Sequence, residues 1–286
     1  MVVLMNKDKL EEKIENEEIE LYLLLEAVNM KYGYDFRNYS RAHIKRRVLH
    51  RMSMLEIDSI AEMQHRILYD RELFNNLLSD FSINVTEMFR DPSFYKAFRE
   101  KVVPVLKTYP YIRIWHAGCS TGEEVYSMAI LLKEEGLYDK AQIYATDFKR
   151  AVLEKAKDGI YQINDTKEYT YNYQQAGGKS SFSDYYIAQY GSVAFEPSLK
   201  KKITFAEHNL VTDGVFGEMH VVVCRNVLIY FNKELQNRVI NLFSDSIPNG
   251  CFLCLGSKES MQFSTSADRF EEFVSSEKIY RKKYLP

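Results

Sequence analysis

Residues 111–147 read YIRIWHAGCSTGEEVYSMAILLKEEGLYDKAQIYATD, and the fold is decided there. Positions 111–116 form an apolar strand that runs into the loop AGCSTGEE. Val125, Ala129 and Leu132 then recur at the spacing of one helix face. Positions 142–146 are a second short strand, ending at Asp147. A further helix over 149–158 closes on Gly159, which takes a left-handed helix end at no steric cost. Strand, glycine loop, helix, strand, acid, helix is the opening of a doubly wound α/β sheet.

The same pattern resumes downstream. Positions 202–205 read as a strand, and 220–224 as a continuous apolar strand of the kind found when both sheet faces are covered. A helix over 233–243, a strand over 251–255 after a Pro-Asn-Gly turn, and a final strand over 279–284 complete it. Between about 161 and 200 the texture differs. YTYNYQQAGGKSSFSDYY, residues 169–186, is too polar for a sheet core and too aromatic for a plain linker. Short antiparallel strands and loops are expected in this insertion. Upstream, residues 1–82 carry helical spacing alone: Ile19, Tyr22, Leu23 and Glu26; Ile44, Val48, Met52 and Leu55; Leu73, Leu77, Leu78 and Phe81. Asp91-Pro92 is a helix start with Asp as N-cap, followed by Phe94, Phe98 and Val102 on one face. The expected division is a helical domain over 1–82 and an α/β domain over 83–286 with its insertion at about 161–200.

Composition narrows the function classes. Of 286 residues, 46% are hydrophobic, enough for a substantial core, and the net charge of −2 disfavours a general nucleic-acid binder. No apolar run is long enough to cross a bilayer, and the opening MVVLMNKDKLEEKIENEE turns acidic too soon for a targeting peptide. A cytoplasmic protein is expected. Cys251 and Cys254 have CxxC spacing, but GCFLCLGS is a strand pattern without a second ligand pair, so they read as small buried hydrophobes and no metal site is expected.

The chemistry gathers at the strand ends. Gly118 and Gly122 let backbone approach a ligand closely at a helix N-terminus. No full GxGxxG is present, and Glu123 and Glu124 fill the first helical turn. Carboxylates there suit the helix dipole but repel a pyrophosphate. A ligand with cationic groups fits better, as S-adenosylmethionine does through its sulfonium and amino groups. Asp147, 25 positions after Gly122, can accept hydrogen bonds from both hydroxyls of an adenosine ribose. Asn84 and Thr86 share a face of an extended segment, and Arg90 can clamp a carboxylate. Arg225 and Asn226 directly follow a buried strand, where polar groups need partners.

At this point five stretches carry a resemblance: NVTEMFRD (84–91), WHAGCSTGEEVYSMA (115–129), ATDFKRAVLEKAKDGIY (145–161), FAEHNLV (205–211) and VVCRNVLIYF (222–231). In order, and from about residue 20 to the end, the chain resembles the CheR family, the chemotaxis receptor glutamate methyltransferases of bacteria. The resemblance implies an N-terminal helical domain and a Rossmann-like S-adenosylmethionine methyltransferase sheet carrying a small inserted β-subdomain. It implies that Asn84, Thr86 and Arg90 form a cofactor motif, with Arg90 close to the transferred methyl. Gly118 and Glu124 would meet the methionine end, Asp147 the ribose, and Asn209 and Leu210 the adenine. Arg225 and Asn226 would complete the pocket, and Tyr230 would face the transfer site. The product would be S-adenosylhomocysteine.

The implied partner is the cytoplasmic helical domain of chemoreceptors, met by a monomer without membrane insertion. Arg41, Lys45, Arg46, Arg47 and Arg51 cluster on the 44–55 helix, and the family uses a basic helix here to meet acidic methylation helices. In the best-known members the β-subdomain can tether a receptor peptide by strand addition; here residues 169–186 stretch its spacing, which leaves the tether open. Two other readings stay open as well. One keeps the chemistry but changes the target to another signalling protein or a small molecule. The other is a cofactor-binding regulatory module without turnover.

Overall fold

A computed structural model of the chain describes residues 7–81 and 86–284. It divides into two compact units, Met1–Ile83 with Tyr230–Leu235, and Asn84–Ile229 with Gln236–Pro286.

The first unit contains α1 (Lys7–Tyr32), α2 (Arg41–Met54), α3 (Ile60–Tyr69) and α4 (Arg71–Phe81). Apolar residues three and four apart face inward: Ile44, Val48 and Met52 on α2, Ile60, Met63 and Ile67 on α3, Phe74, Leu77, Leu78 and Phe81 on α4. Phe74 thus takes the place expected of Leu73, and Leu55 is exposed. On α1 the buried face is Leu21, Leu24, Leu25 and Val28, whereas Ile19, Tyr22 and Leu23 are 52%, 47% and 48% exposed. This corrects the expected stripe. From 19 to 28 the helix is apolar on two faces, so spacing could not choose between them. Ser59 caps α3 by accepting from the Glu62 N–H at 3.1 Å, and Tyr32 donates to the Ile67 carbonyl at 2.6 Å while stacking on Phe74. The distant segment 230–235 joins this unit through a β-bridge between Tyr39 and Phe231 and a Ser40 N–H donated to the Tyr230 carbonyl at 2.8 Å.

In the second unit α5 (Pro92–Ala97) runs through a π-turn into α6 (Val103–Leu106), followed by β1 (Ile112–Ala117), α7 (Glu123–Glu134), β2 (Ala141–Asp147) and α8 (Arg150–Asp158). Then come β3 (Ile160–Gln162), α9 (Thr166–Gln175), β4 (Tyr186–Gln189), β5 (Ser192–Phe195), α10 (Pro197–Lys200), β6 (Ile203–Glu207) and β7 (Val221–Cys224). The last elements are α11 (Lys233–Ser246), whose first residues belong to the helical unit, β8 (Phe252–Leu255), β9 (Phe270–Val274) and β10 (Ile279–Lys282).

The main sheet has the order β6-β2-β1-β7-β8-β10-β9. From β6 to β8 every pairing is parallel, and β10 is antiparallel to both neighbours. The expected α/β class is what forms. β7 and β8 are buried along their whole length, which is why they read as unbroken apolar runs. β9 was not legible: Glu271 and Glu272 break the pattern, and as an edge strand it can leave them in water. The order reverses at β1, whose neighbours are β2 on one side and β7 on the other. Ligands bind outside the carboxyl ends of strands at such a point. No helix among the described residues is long and apolar enough to cross a membrane.

The insertion departs from expectation. β3, β5 and β4 do form a small antiparallel sheet, but the Tyr-rich stretch is largely the helix α9 and a 3-10 turn over Phe182–Tyr185. Tyr169, Tyr171 and Tyr173 alternate like a strand, yet the buried positions are Tyr169, Asn172, Tyr173 and Ala176, the spacing of a helix face. The Asp91 N-cap also fails. Asp91 stands at the helix start but makes no capping bond, because its carboxylate is engaged elsewhere.

Glu134 at the end of α7 anchors the insertion. Its carboxylate accepts from the Tyr173 hydroxyl, from the Tyr185 hydroxyl at 2.9 Å and from the Lys179 N–H at 2.9 Å, and it pairs with Arg99, which also meets Glu135 at 3.1 Å. Burial would raise Glu134, but these partners hold it below the ordinary carboxylate range. Glu134→Ala leaves a buried guanidinium with one counter-charge, so urea unfolding should show a loss of about 3 kcal/mol.

Candidate functional site

Where β1 ends, the chain turns through Gly118 at φ 82°, and Gly122 at φ 95° starts α7. A Cβ on Gly118 would lie 2.6 Å from Val227 Cγ2, so only glycine fits both the turn and the neighbour. The N–H groups of Gly118 and Cys119 both donate to the Thr146 carbonyl, at 2.8 and 2.9 Å, which ties the loop to the end of β2. Asp147 follows directly. One carboxylate oxygen accepts from the Ser120 N–H at 3.0 Å and the other from the Lys149 N–H at 3.1 Å. Burial pushes the Asp147 carboxyl up, with these N–H groups opposing. Ser120 Oγ is buried and has no hydrogen-bond partner among the described residues.

Behind this loop lies a buried ion cluster. Glu124 receives His116 Nδ1 at 2.9 Å on one oxygen and the Arg225 guanidinium at 3.1 Å on the other. Arg225 also donates to the Asp91 carboxylate at 2.7 Å and to the Arg90 carbonyl at 3.3 Å, and its guanidinium covers the Phe94 ring at 4.2 Å. Its side chain is 2% exposed. Burial works against that charge, yet Glu124, Tyr95 and Asp91 hold the guanidinium above its ordinary value. Burial would likewise raise Glu124, and His116 and Arg225 bring it below. The two terminal nitrogens of Arg225 are engaged by protein groups, its Nε is buried without a hydrogen-bond partner among the described residues, and it holds the Arg90 carbonyl. The carboxylate of Asp91 is consumed here, which explains the missing cap.

Asn226 sits at φ 62° in the left-handed region and opens the turn after β7. That turn is organised by a residue the sequence reading missed. Glu259, 4% exposed, accepts from the N–H groups of Gly256 at 2.6 Å, Asn226 at 3.0 Å, Val227 at 2.8 Å and Ile229 at 3.3 Å. The signal was present: an acid just beyond the carboxyl end of a buried strand and its glycine, the same logic that singled out Asp147. Asn209 and Leu210 lie in the loop after β6. His208 donates its N–H to the Asp147 carbonyl at 3.2 Å, Asn209 Oδ1 accepts from Val211 at 3.0 Å, and the carbonyl of buried Leu210 accepts from Arg238 at 3.1 Å. Gly118, Glu124, Asp147, Asn209, Leu210, Arg225 and Asn226 are thus gathered at one end of the sheet, with Arg90 joined to them through Arg225.

Thr86 is half-buried at the start of the described segment, and Asn84 lies outside the described residues. Tyr230 belongs to the helical unit, its ring 4.9 Å from that of His43. On α2, Lys45 is paired with Glu18 at 2.8 Å and Glu17 at 3.2 Å, and Arg51 makes a two-point pair with Asp80 at 2.6 and 2.8 Å. Arg41 is exposed over the Tyr22 ring, Arg46 is exposed, and Arg47 is half-buried.

These groups fit S-adenosylmethionine. A carboxylate oxygen has more than one lone pair, so Asp147 retains acceptor capacity for ribose hydroxyls. Ser120 Oγ is a buried polar atom with no hydrogen-bond partner among the described residues, and the Gly118 turn allows backbone contact.

Residues 84–279 match the CheR methyltransferase SAM binding domain and residues 19–82 the CheR methyltransferase all-alpha domain. The Pseudomonas putida protein Cher3 is 52% identical over 267 residues, 93% of this chain and 98% of that one. A chemotaxis protein methyltransferase of Listeria innocua is 31% identical over 237 residues, 82% of this chain and 87% of its own. One of Borreliella burgdorferi is 27% identical over 278 residues, covering 90% and 93%.

Glu123, next to Glu124, gives a pH test. It is buried, accepts from Thr121 Oγ1 at 2.9 and 2.7 Å, and burial pushes its carboxyl from 4.5 up to about 7. Between those values the unfolded chain has released the proton and the folded one has kept it, so stability falls as pH rises through that window. Relative to Glu123→Gln, the wild type should lose up to about 3 kcal/mol from pH 4.5 to 7 and nothing further above it, measured by denaturant unfolding.

Proposed function

The chain belongs to the CheR methyltransferase family, and we propose that it methylates glutamate side-chain carboxylates of bacterial chemoreceptors. It is an S-adenosylmethionine-dependent methyltransferase of the chemotaxis protein methyltransferase family. When bound, the cofactor supplies a methyl group already activated by its sulfonium. Asp147 would hold the ribose, Glu124 the amino group, and Asn209, Leu210 and Asn226 the rest of the pocket.

The observation that carries the carboxylate target is the clamp on Arg90. Arg225 holds the Arg90 carbonyl and so fixes the turn that carries this arginine, and a guanidinium suits an incoming carboxylate. A glutamate is ionised near pH 7, so no proton has to be removed from it. What remains is alignment and exclusion of water, and the resemblance to the family assigns the alignment to Arg90 and Tyr230. The chemoreceptor as carrier of that glutamate is supported by the names of the relatives and by the basic side of α2. With Lys45 and Arg51 engaged inside the unit, docking falls to Arg41, Arg46 and Arg47.

The direct test offers receptor cytoplasmic fragments and S-adenosylmethionine labelled in the methyl group. Label should enter the fragments and leave as methanol in base. Label entering only another protein or a small molecule, or none at all, would overturn the target. Arg90→Ala and Tyr230→Phe should each lower the rate about tenfold or more at saturating cofactor. Unchanged rates in both would remove them from the transfer step. Arg46→Glu combined with Arg47→Glu should raise the KM for the fragments about tenfold at low ionic strength, with the difference shrinking as salt is added.

A further inference from the structure

The turn that carries Arg90 is strained. Phe89 at φ 52° and Asp91 at φ 55° both lie in the left-handed region without being glycine. Such backbone persists only where the surroundings over-determine it. Three of its restraints come from residues of the sheet domain proper. Ser127 Oγ accepts from the Phe89 N–H at 2.8 Å, Arg225 donates to the Arg90 carbonyl at 3.3 Å, and Arg225 also pairs with Asp91 at 2.7 Å. The fourth comes from the insertion. Asn172 of α9 donates its side-chain amide to the Met88 carbonyl at 3.3 Å. Its neighbours follow it, with Tyr173 and Phe182 edge-on to the Phe89 ring at 5.3 and 6.3 Å.

Asn172 is the one amide among Tyr169, Asn172, Tyr173 and Ala176, the buried face of α9, and is itself 8% exposed. A buried amide is costly unless it is hydrogen-bonded, and this one is aimed at the turn of Arg90. The far end of α9 is anchored through Tyr173 to Glu134, so the helix is a fixed support. We infer that Asn172 is a positioning residue for methyl transfer: the inserted helix sets the conformation of the 88–91 turn and thereby the aim of Arg90. The inference rests on Arg90 acting in the transfer step.

The test is a double-mutant cycle on the full chain, with methyl transfer to receptor fragments, S-adenosylhomocysteine affinity and thermal midpoint as readouts. The variants are Asn172→Ala, Asn172→Asp (the same shape without the donor), Arg90→Ala and the two doubles. Tyr171→Ala, on the exposed side of the same helix, serves as control. Asn172→Ala and Asn172→Asp should each lower kcat/KM about tenfold, while Tyr171→Ala leaves it within about twofold. In the Arg90→Ala background the Asn172 substitutions should lower it no further. Equal Asn172 effects in both backgrounds would mean that Asn172 acts through general packing, and would overturn the inference, as would an unchanged rate in both Asn172 variants. If Arg90→Ala alone leaves the rate unchanged, the parent reading of Arg90 fails, and an Asn172 effect that persists there overturns the route through Arg90 as well.

Discussion

Arg225 sits at the end of a fully apolar strand, and a charge in that position has to be neutralised where it stands. Glu124 and Asp91 do so from two different directions, one from the first turn of α7 and one from the start of α5. The cluster therefore relates the carboxyl ends of β1 and β7 to the segment before α5. Two parts of the candidate site are referred to it: the helix entered from the Gly118 loop through Glu124, and Arg90 through its own carbonyl. Lys in place of Arg225 would keep the charge but lose the fork that reaches three acceptors at once.

Much of this was legible in the chain, for physical reasons. β1, α7 and β2 announced themselves because a covered parallel strand leaves no choice but apolar residues, and because a helix entered through glycine needs a left-handed turn. Asp147 stands out in the sequence because it closes the strand after the glycine loop and helix, and the structure joins it to that loop through the Ser120 N–H. The roles within the ion cluster were not. Arg225 and Asp91 are 134 positions apart, and no local pattern says that two charges will meet. The family resemblance gives Arg225 to the pocket and the local pattern gives Asp91 to a helix cap, and neither foresees the pair that the two residues make.

The insertion failed differently. Alternating tyrosines at 169, 171 and 173 match a strand, and the helix is chosen by tertiary contacts: Glu134 gathers the tyrosine hydroxyls, and Asn172 finds a carbonyl. Glu259 belongs with these. Its carboxylate does for the 226–229 turn what a bound anion does for a nest of N–H groups, holding a left-handed residue in place without a glycine. The candidate site is thus framed by three acids: Asp147 joined to the Gly118 loop, Glu124 paired with Arg225, and Glu259 shaping a turn.

The allotment of residues 230–235 to the helical unit has a consequence for how the chain is made. α1 to α4 precede the sheet in the chain, yet the unit lacks the segment that pairs with Tyr39 and Ser40 until synthesis has passed through most of the sheet. The helical unit is therefore finished late, by a contact of high sequence separation, after the segments that build β1 to β7 have appeared. A fragment ending near residue 83 would contain all four helices and still be an incomplete fold.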